Sequence, residues 1–155
     1  MFYLWLKLIH IVSSTLLFGT GLGSAFYMFM GNRKRDNLLY LQRITRNVVI
    51  ADFVFTTPAV IIQPLTGLAM IYIAGYSLTS FWIMASLLLY ALVGGCWIPV
   101  VFIQMKLEKI IRLAIVEKQD LPAAYYSLYR IWFILGWPAF IGVLLIFYLM
   151  VIKSA

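Results

Sequence analysis

The sequence predicts an all-α membrane protein, four transmembrane helices in an antiparallel bundle, N-out and C-out. Three observations predict it. Apolar residues make up 65% of the chain and charged ones 11%, so one soluble core of 155 residues could not hide the apolar surface. Four apolar runs in the sequence each reach the about 20 residues that cross a ~30 Å hydrocarbon layer. The basic residues between these runs gather in the first and third loops and avoid the second, which gives the bundle a sidedness. The chain reads as a single integral membrane domain over 1–155.

The first run covers about 3–30, from "YLWLKLIHIV" into "GTGLGSAFYMFM". It is longer than a signal-peptide core and no basic stretch precedes it, so a permanent helix is expected. The second run, about 48–74, reads "VVIADFVFTTPAVIIQPLTGLAM". Pro58 and Pro64 each remove a backbone donor and free a carbonyl about a turn earlier, which something polar must satisfy. After the uncharged loop "AGYSLTS", the third run covers about 80–104 and should continue as helix to about 117. There Leu107, Ile110, Ile111, Ala114 and Ile115 form an apolar stripe, and Glu108 can pair with Arg112 at i,i+4. This extension is expected to lie along the inner surface or to cap the bundle. Asp120 followed by "LPAAYYSLYR" reads as a helix restart with Pro122 in its first turn, leading into a fourth span at about 129–152. Pro99 and Pro138 interrupt the third and fourth helices, and kinks in three helices leave room for a pocket.

Arg33, Lys34, Arg35, Arg43 and Arg46 in the first loop, with Lys106, Lys109, Arg112 and Lys118 in the third, place both loops in the cytoplasm. The termini, carrying Lys7 and Lys153, then lie outside. The net charge of +7 is accordingly a topology signal, with anionic lipid headgroups as counter-charge and no nucleic-acid partner. Cys96, the single cysteine, has no internal disulfide partner and reads as packing. No serine-histidine-carboxylate set, carboxylate dyad, phosphate loop or zinc motif supports hydrolysis, nucleotide use or a zinc site.

Polar residues inside the spans carry the functional reading. Asp52, Thr56, Ala59, Gln63, Thr66 and Met70 recur at spacings of three or four, hence on one helix face that must point into the bundle. At ~1.5 Å of rise per residue they divide into two layers. In the inner layer, Asp52 lies level with Arg46, Gln104 and Arg130, and a structural ion pair of Asp52 with Arg46 or Arg130 is expected. In the outer layer, His10 lies level with Gln63 and Thr66 and with Trp82, Ser86 and Tyr90 on the third helix. His10 admits two readings. It is either a neutral imidazole hydrogen-bonded to Gln63, Ser86 or a proline-freed carbonyl, or a metal ligand, the axial ligand of a buried haem in a pocket lined by Gln63, Thr66, Ser86 and Tyr90. Copper held by His10 with Met70 or Met84 is a further option, because thioethers suit Cu(I). Gly19 with Gly23, and Gly94 with Gly95, suit close helix packing or a flat cofactor face. Tyr72, Tyr76, Phe81, Trp82 and Tyr148 mark an outer aromatic belt, Tyr126 and Tyr129 an inner one.

The blocks "YLWLKLIHI", "ADFVFTTPAVIIQPLTGL", "LLLYALVGGCWIPVV", "YRIWFILGWPAF" and "LMVIK" resemble, over essentially the full chain, the bacterial predicted integral membrane proteins grouped as domain of unknown function 2269. The opening "LWLKLIHI" also looks like the start of HemJ-type protoporphyrinogen oxidases and, more loosely, of CopD-like copper proteins. The resemblance implies a multi-pass protein of the bacterial inner membrane. Residue by residue it carries over only Lys7 and His10, with haem b on His10; the HemJ basic and tryptophan motifs do not align beyond the first helix. The expected function is a haem- or porphyrin-associated redox membrane protein. The alternatives are a non-catalytic subunit or scaffold, as a homo-oligomer or docked to a complex partner through its basic loops, and copper handling or transport.

Overall fold

A computed structural model describes residues 1–152. Lys153, expected at the outer terminus, lies outside the described residues. The chain forms four long helices: α1 (Phe2–Asn32), α2 (Leu38–Ala74), α3 (Phe81–Glu117) and α4 (Ala123–Ile152). All four are long and apolar enough to cross a membrane, and there is no strand among the described residues. Short connections make successive helices antiparallel. Gly75, at φ 70°, closes α2 in the left-handed region that favours glycine.

Two helices begin earlier than the apolar runs. α2 starts at Leu38 rather than near 48, because Asn37 caps it by accepting from the Tyr40 N–H at 3.0 Å. Its first turns are amphipathic, burying Leu41, Ile44, Thr45 and Val48 while Arg43 and Arg46 face out. α4 starts at Ala123 rather than 129, with Tyr125 fully buried in its first turn and Pro122 just before it. A count of apolar residues detects only the lipid-facing part of such helices. α3 ends at Glu117, as its apolar stripe suggests.

α2 and α3 are 37 residues each, about 56 Å of helix against a ~30 Å hydrocarbon layer. Their surplus builds a water-facing head at the basic end. There Met28, Leu41, Val48, Leu107, Ile111 and Tyr125 form the main core cluster, so the extension of α3 caps the bundle. Each fully buried leucine or isoleucine in this water-exposed head contributes about 1.5–3 kcal/mol. Polar contacts tie it together: Tyr125 Oη donates to Asn32 Oδ1 at 2.8 Å, Gln42 Nε2 donates to Glu108 Oε1 at 3.1 Å, and Glu108 meets Arg112 at 4.0 Å.

Inside lipid the hydrophobic effect no longer drives helices together, and packing and hydrogen bonds must do so. α3 and α4 meet where Gly142 gives way to Val93; a Cβ on Gly142 would sit 2.5 Å from Val93 Cγ2. Gly19, Gly23, Gly94 and Gly95 do not serve this purpose, since a Cβ on any of them would meet nothing within 4 Å. α1 and α4 also meet through aromatic rings. Phe18 stacks on Phe140 at 5.6 Å and meets Phe147 edge-on at 5.5 Å; Phe29 meets Phe133 at 6.1 Å nearer the basic end.

Candidate functional site

The inner polar layer is organised by a widened turn. Residues Asp52–Thr56 of α2 form a π-helical turn, in which the Thr57 N–H reaches the Asp52 carbonyl and the Thr57 hydroxyl donates to it at 2.9 Å. Pro58 accounts for the widening: in a regular helix its ring would strike the carbonyl of Val54. The turn buries both Asp52 and Thr56, each 3% exposed. Thr56 Oγ1 donates to Asp52 Oδ1 at 2.9 Å, and Gln104 of α3 is buried in the same layer. The expected ion pair of Asp52 with Arg46 or Arg130 is not made. Both arginines are exposed, and the ion pair found among the described residues is Glu108–Arg112. Sharing a layer does not mean sharing a face: Arg46 precedes Asp52 by six residues, a rotation that carries it to the outer side of α2.

The outer layer forms a latch between α1 and α2. His10 Nδ1 lies 2.9 Å from Thr66 Oγ1, and Gln63 Nε2 lies 3.0 Å from His10 Nε2. The Thr66 hydroxyl proton is directed to the Ile62 carbonyl at 2.8 Å, so Thr66 accepts from Nδ1–H, and Nε2 accepts from the Gln63 amide. Ser13 completes the chain by donating to Gln63 Oε1 at 2.6 Å. Gly67 lets the ring approach, since a Cβ there would stand 3.2 Å from His10 Cε1. Every polar atom of the imidazole is therefore used. Iron or copper needs a ring nitrogen lone pair, and the one on Nε2 is held by Gln63; in this arrangement His10 does not fit as an axial ligand of haem b or as a copper ligand. Met84 is moreover 48% exposed on the outside of α3.

Tyr90 and Ser86 take other partners. Tyr90 Oη donates at 2.6 Å to the carbonyl of Val60, the group that Pro64, four residues on, leaves without its helical donor. Ser86 Oγ donates to the Trp82 carbonyl at 2.6 Å and is buried. Of the residues expected to line one pocket, the structure thus joins His10, Gln63 and Thr66 and leaves Ser86 and Tyr90 apart.

The cavity lies elsewhere. A cleft of about 470 Å³ runs between α1 and α4, with α2 and α3 as its back wall. Asp52, Thr56 and Gln104 line it with Tyr90, Trp97 and Trp132; the remainder is almost wholly apolar, while His10, Gln63 and Thr66 do not line it. Gln104 and Trp132 are 2% and 5% exposed, yet Gln104 Oε1, Trp132 Nε1 and Trp97 Nε1 are buried without a hydrogen-bond partner among the described residues. Gly21, Gly94 and Gly136 line it from three helices, each with open space where a Cβ would point. Trp97 and Trp132 were not among the site residues expected from the sequence. One signal was present on α3, where Gly94, Trp97, Val101 and Gln104 fall at spacings of three and four and so share a face.

Fold and site together define an all-helical integral membrane protein with four apolar helices and a cleft at membrane depth. The chain belongs to the family described as predicted integral membrane protein (DUF2269), whose model matches residues 4–154. No curated protein and no solved structure matches it.

Proposed function

We propose that this protein works in the bacterial inner membrane, N-out and C-out, as a binding protein for a lipophilic small molecule that enters the cleft sideways from the bilayer between α1 and α4. The observation that carries this reading is the cleft itself, about 470 Å³ with an almost wholly apolar lining between apolar helices. The lateral route is supported by the sparse α1–α4 contact, with Phe18–Phe140 and Phe29–Phe133 framing the gap above and below. The head's basic residues suit anionic headgroups at the cytoplasmic surface. In this reading the His10–Gln63–Thr66 latch holds α1 against α2 so that the gap stays on the α4 side.

The test is photolabelling in lipid nanodiscs with an apolar diazirine dissolved in the bilayer. Trp97 and Val100, which face the cleft, should be labelled. Gly136→Leu, which fills the cleft where no neighbour obstructs a side chain, should protect them. Absence of label at both positions in the wild type refutes the reading.

A further inference from the structure

Asp52 is the one charged-type side chain that the fold buries among the described residues, and it does so without a basic partner. Of the five acidic residues in the chain, Asp36, Glu117 and Asp120 are exposed at the basic end, and Glu108 meets Arg112 there. Asp52 alone stands on the wall of the cleft, and every other residue on that wall is uncharged. α1 carries no charged residue between Lys7 and Arg33. On α2, α3 and α4 the basic residues nearest its level, Arg46, Lys106 and Arg130, are exposed. Tyr90, the other titratable group on the wall, directs its hydroxyl proton to the Val60 carbonyl.

From these surroundings we infer that Asp52 is a proton-binding site, a carboxylic acid at neutral pH that takes up and releases one proton at the cleft wall. An ionised carboxyl isolated in apolar surroundings is so unfavourable that the group keeps its proton instead. Hydrogen bonds can hold a buried carboxylate ionised, but that takes about two or three donors, and the Thr56 hydroxyl supplies one to Oδ1. The acid form also adds a donor to a layer short of one. Gln104 Oε1, buried in that layer, is an acceptor without a partner among the described residues, and the acid O–H is a donor. Burial closes that oxygen to a ligand in the cleft but not to a side chain of the wall itself. Releasing the proton leaves a negative charge among neutral groups, so ionisation must bring water or a cation to the cleft. Proton binding at Asp52 is thereby linked to what the cleft contains, while the protonated state follows from the wall alone.

The experiment is infrared spectroscopy of the full chain in dodecyl maltoside, a detergent without a carbonyl group, with the proton and the deuteron as probes. Wild type at neutral pH should show a carboxylic-acid C=O band that moves to lower frequency in heavy water and gives way to carboxylate absorption as the pH is raised. Asp52→Asn should lack that band. Thr56→Val keeps the acid and removes the donor to Oδ1, so it should retain the band at higher frequency. The other acidic residues face water or Arg112 and are ionised at that pH. If Asp52→Asn folds poorly, the wild-type titration and the Thr56→Val shift make the assignment together. Absence of an acid band in wild type at neutral pH, or a band that survives Asp52→Asn or ignores Thr56→Val, overturns the inference. None of these results bears on the cleft reading, whose own test is the label at Trp97 and Val100.

Discussion

Replacing His10 by alanine separates a latch from a metal ligand. The substitution deletes two interhelical hydrogen bonds, at 2.9 Å to Thr66 and 3.0 Å from Gln63. Thr66 is little affected, because its hydroxyl still donates to the Ile62 carbonyl, but the Gln63 amide is stranded. Measured interhelical bonds in lipid average about 0.6 kcal/mol and reach about 1.7, so the pair accounts for about 1–2 kcal/mol. Loss of the ring from its seat on Gly67 adds about 1 kcal/mol of packing. The expected total is about 2–3 kcal/mol, measured by reversible unfolding in mixed micelles of mild detergent and dodecyl sulfate. His10→Gln, which can both donate and accept, should cost about 1 kcal/mol or less. In a double-mutant cycle with Gln63→Ala the two losses should overlap by about 1 kcal/mol, since both remove the same bond. Strict additivity refutes the latch. So does a Soret band in wild type expressed with haem supplied that disappears in His10→Ala, because iron on Nε2 and the Gln63 amide on Nε2 exclude each other.

Four further outcomes are expected. Tyr90→Phe should cost about 1 kcal/mol by abandoning the Val60 carbonyl, and Pro64→Ala, which restores a backbone N–H to that carbonyl, should recover most of it in the same unfolding assay. Asp52→Asn should be nearly silent, because an amide oxygen still accepts from Thr56; Asp52→Ala combined with Arg46→Ala or Arg130→Ala should give additive losses, whereas a cycle coupling above about 1 kcal/mol would restore the ion pair. Gly142→Ala should destabilise by about 1–3 kcal/mol through its clash with Val93, with partial rescue by Val93→Ala. Reporter fusions after Arg35 and Lys118 should read as cytoplasmic and one within "AGYSLTS" as periplasmic; the opposite pattern inverts the proposed orientation.

The sequence by itself determined the solvent, the number of spans and the one-sided faces within them. These rest on properties that add along the chain: transfer free energies summed over about 20 residues, and the 100° step that sets Gln63 and Thr66 on one side of α2. The rise of ~1.5 Å per residue placed Gln104 level with Asp52, and both line the cleft. Even the need for a polar partner near Pro64 was legible, since a missing donor is a local fact. Only the tertiary structure decided that Tyr90 fills that need and that His10 is saturated by Gln63 and Thr66 rather than left open. It also decided that Asp52 faces a cleft and not an arginine, because equal depth fixes one coordinate while pairing requires the rotation of two helices about their own axes. Gly94 shows the limit most plainly. Its spacing fits close packing and an open wall equally, and the choice depends on whether another helix stands opposite, which no pattern along a single strand of sequence contains.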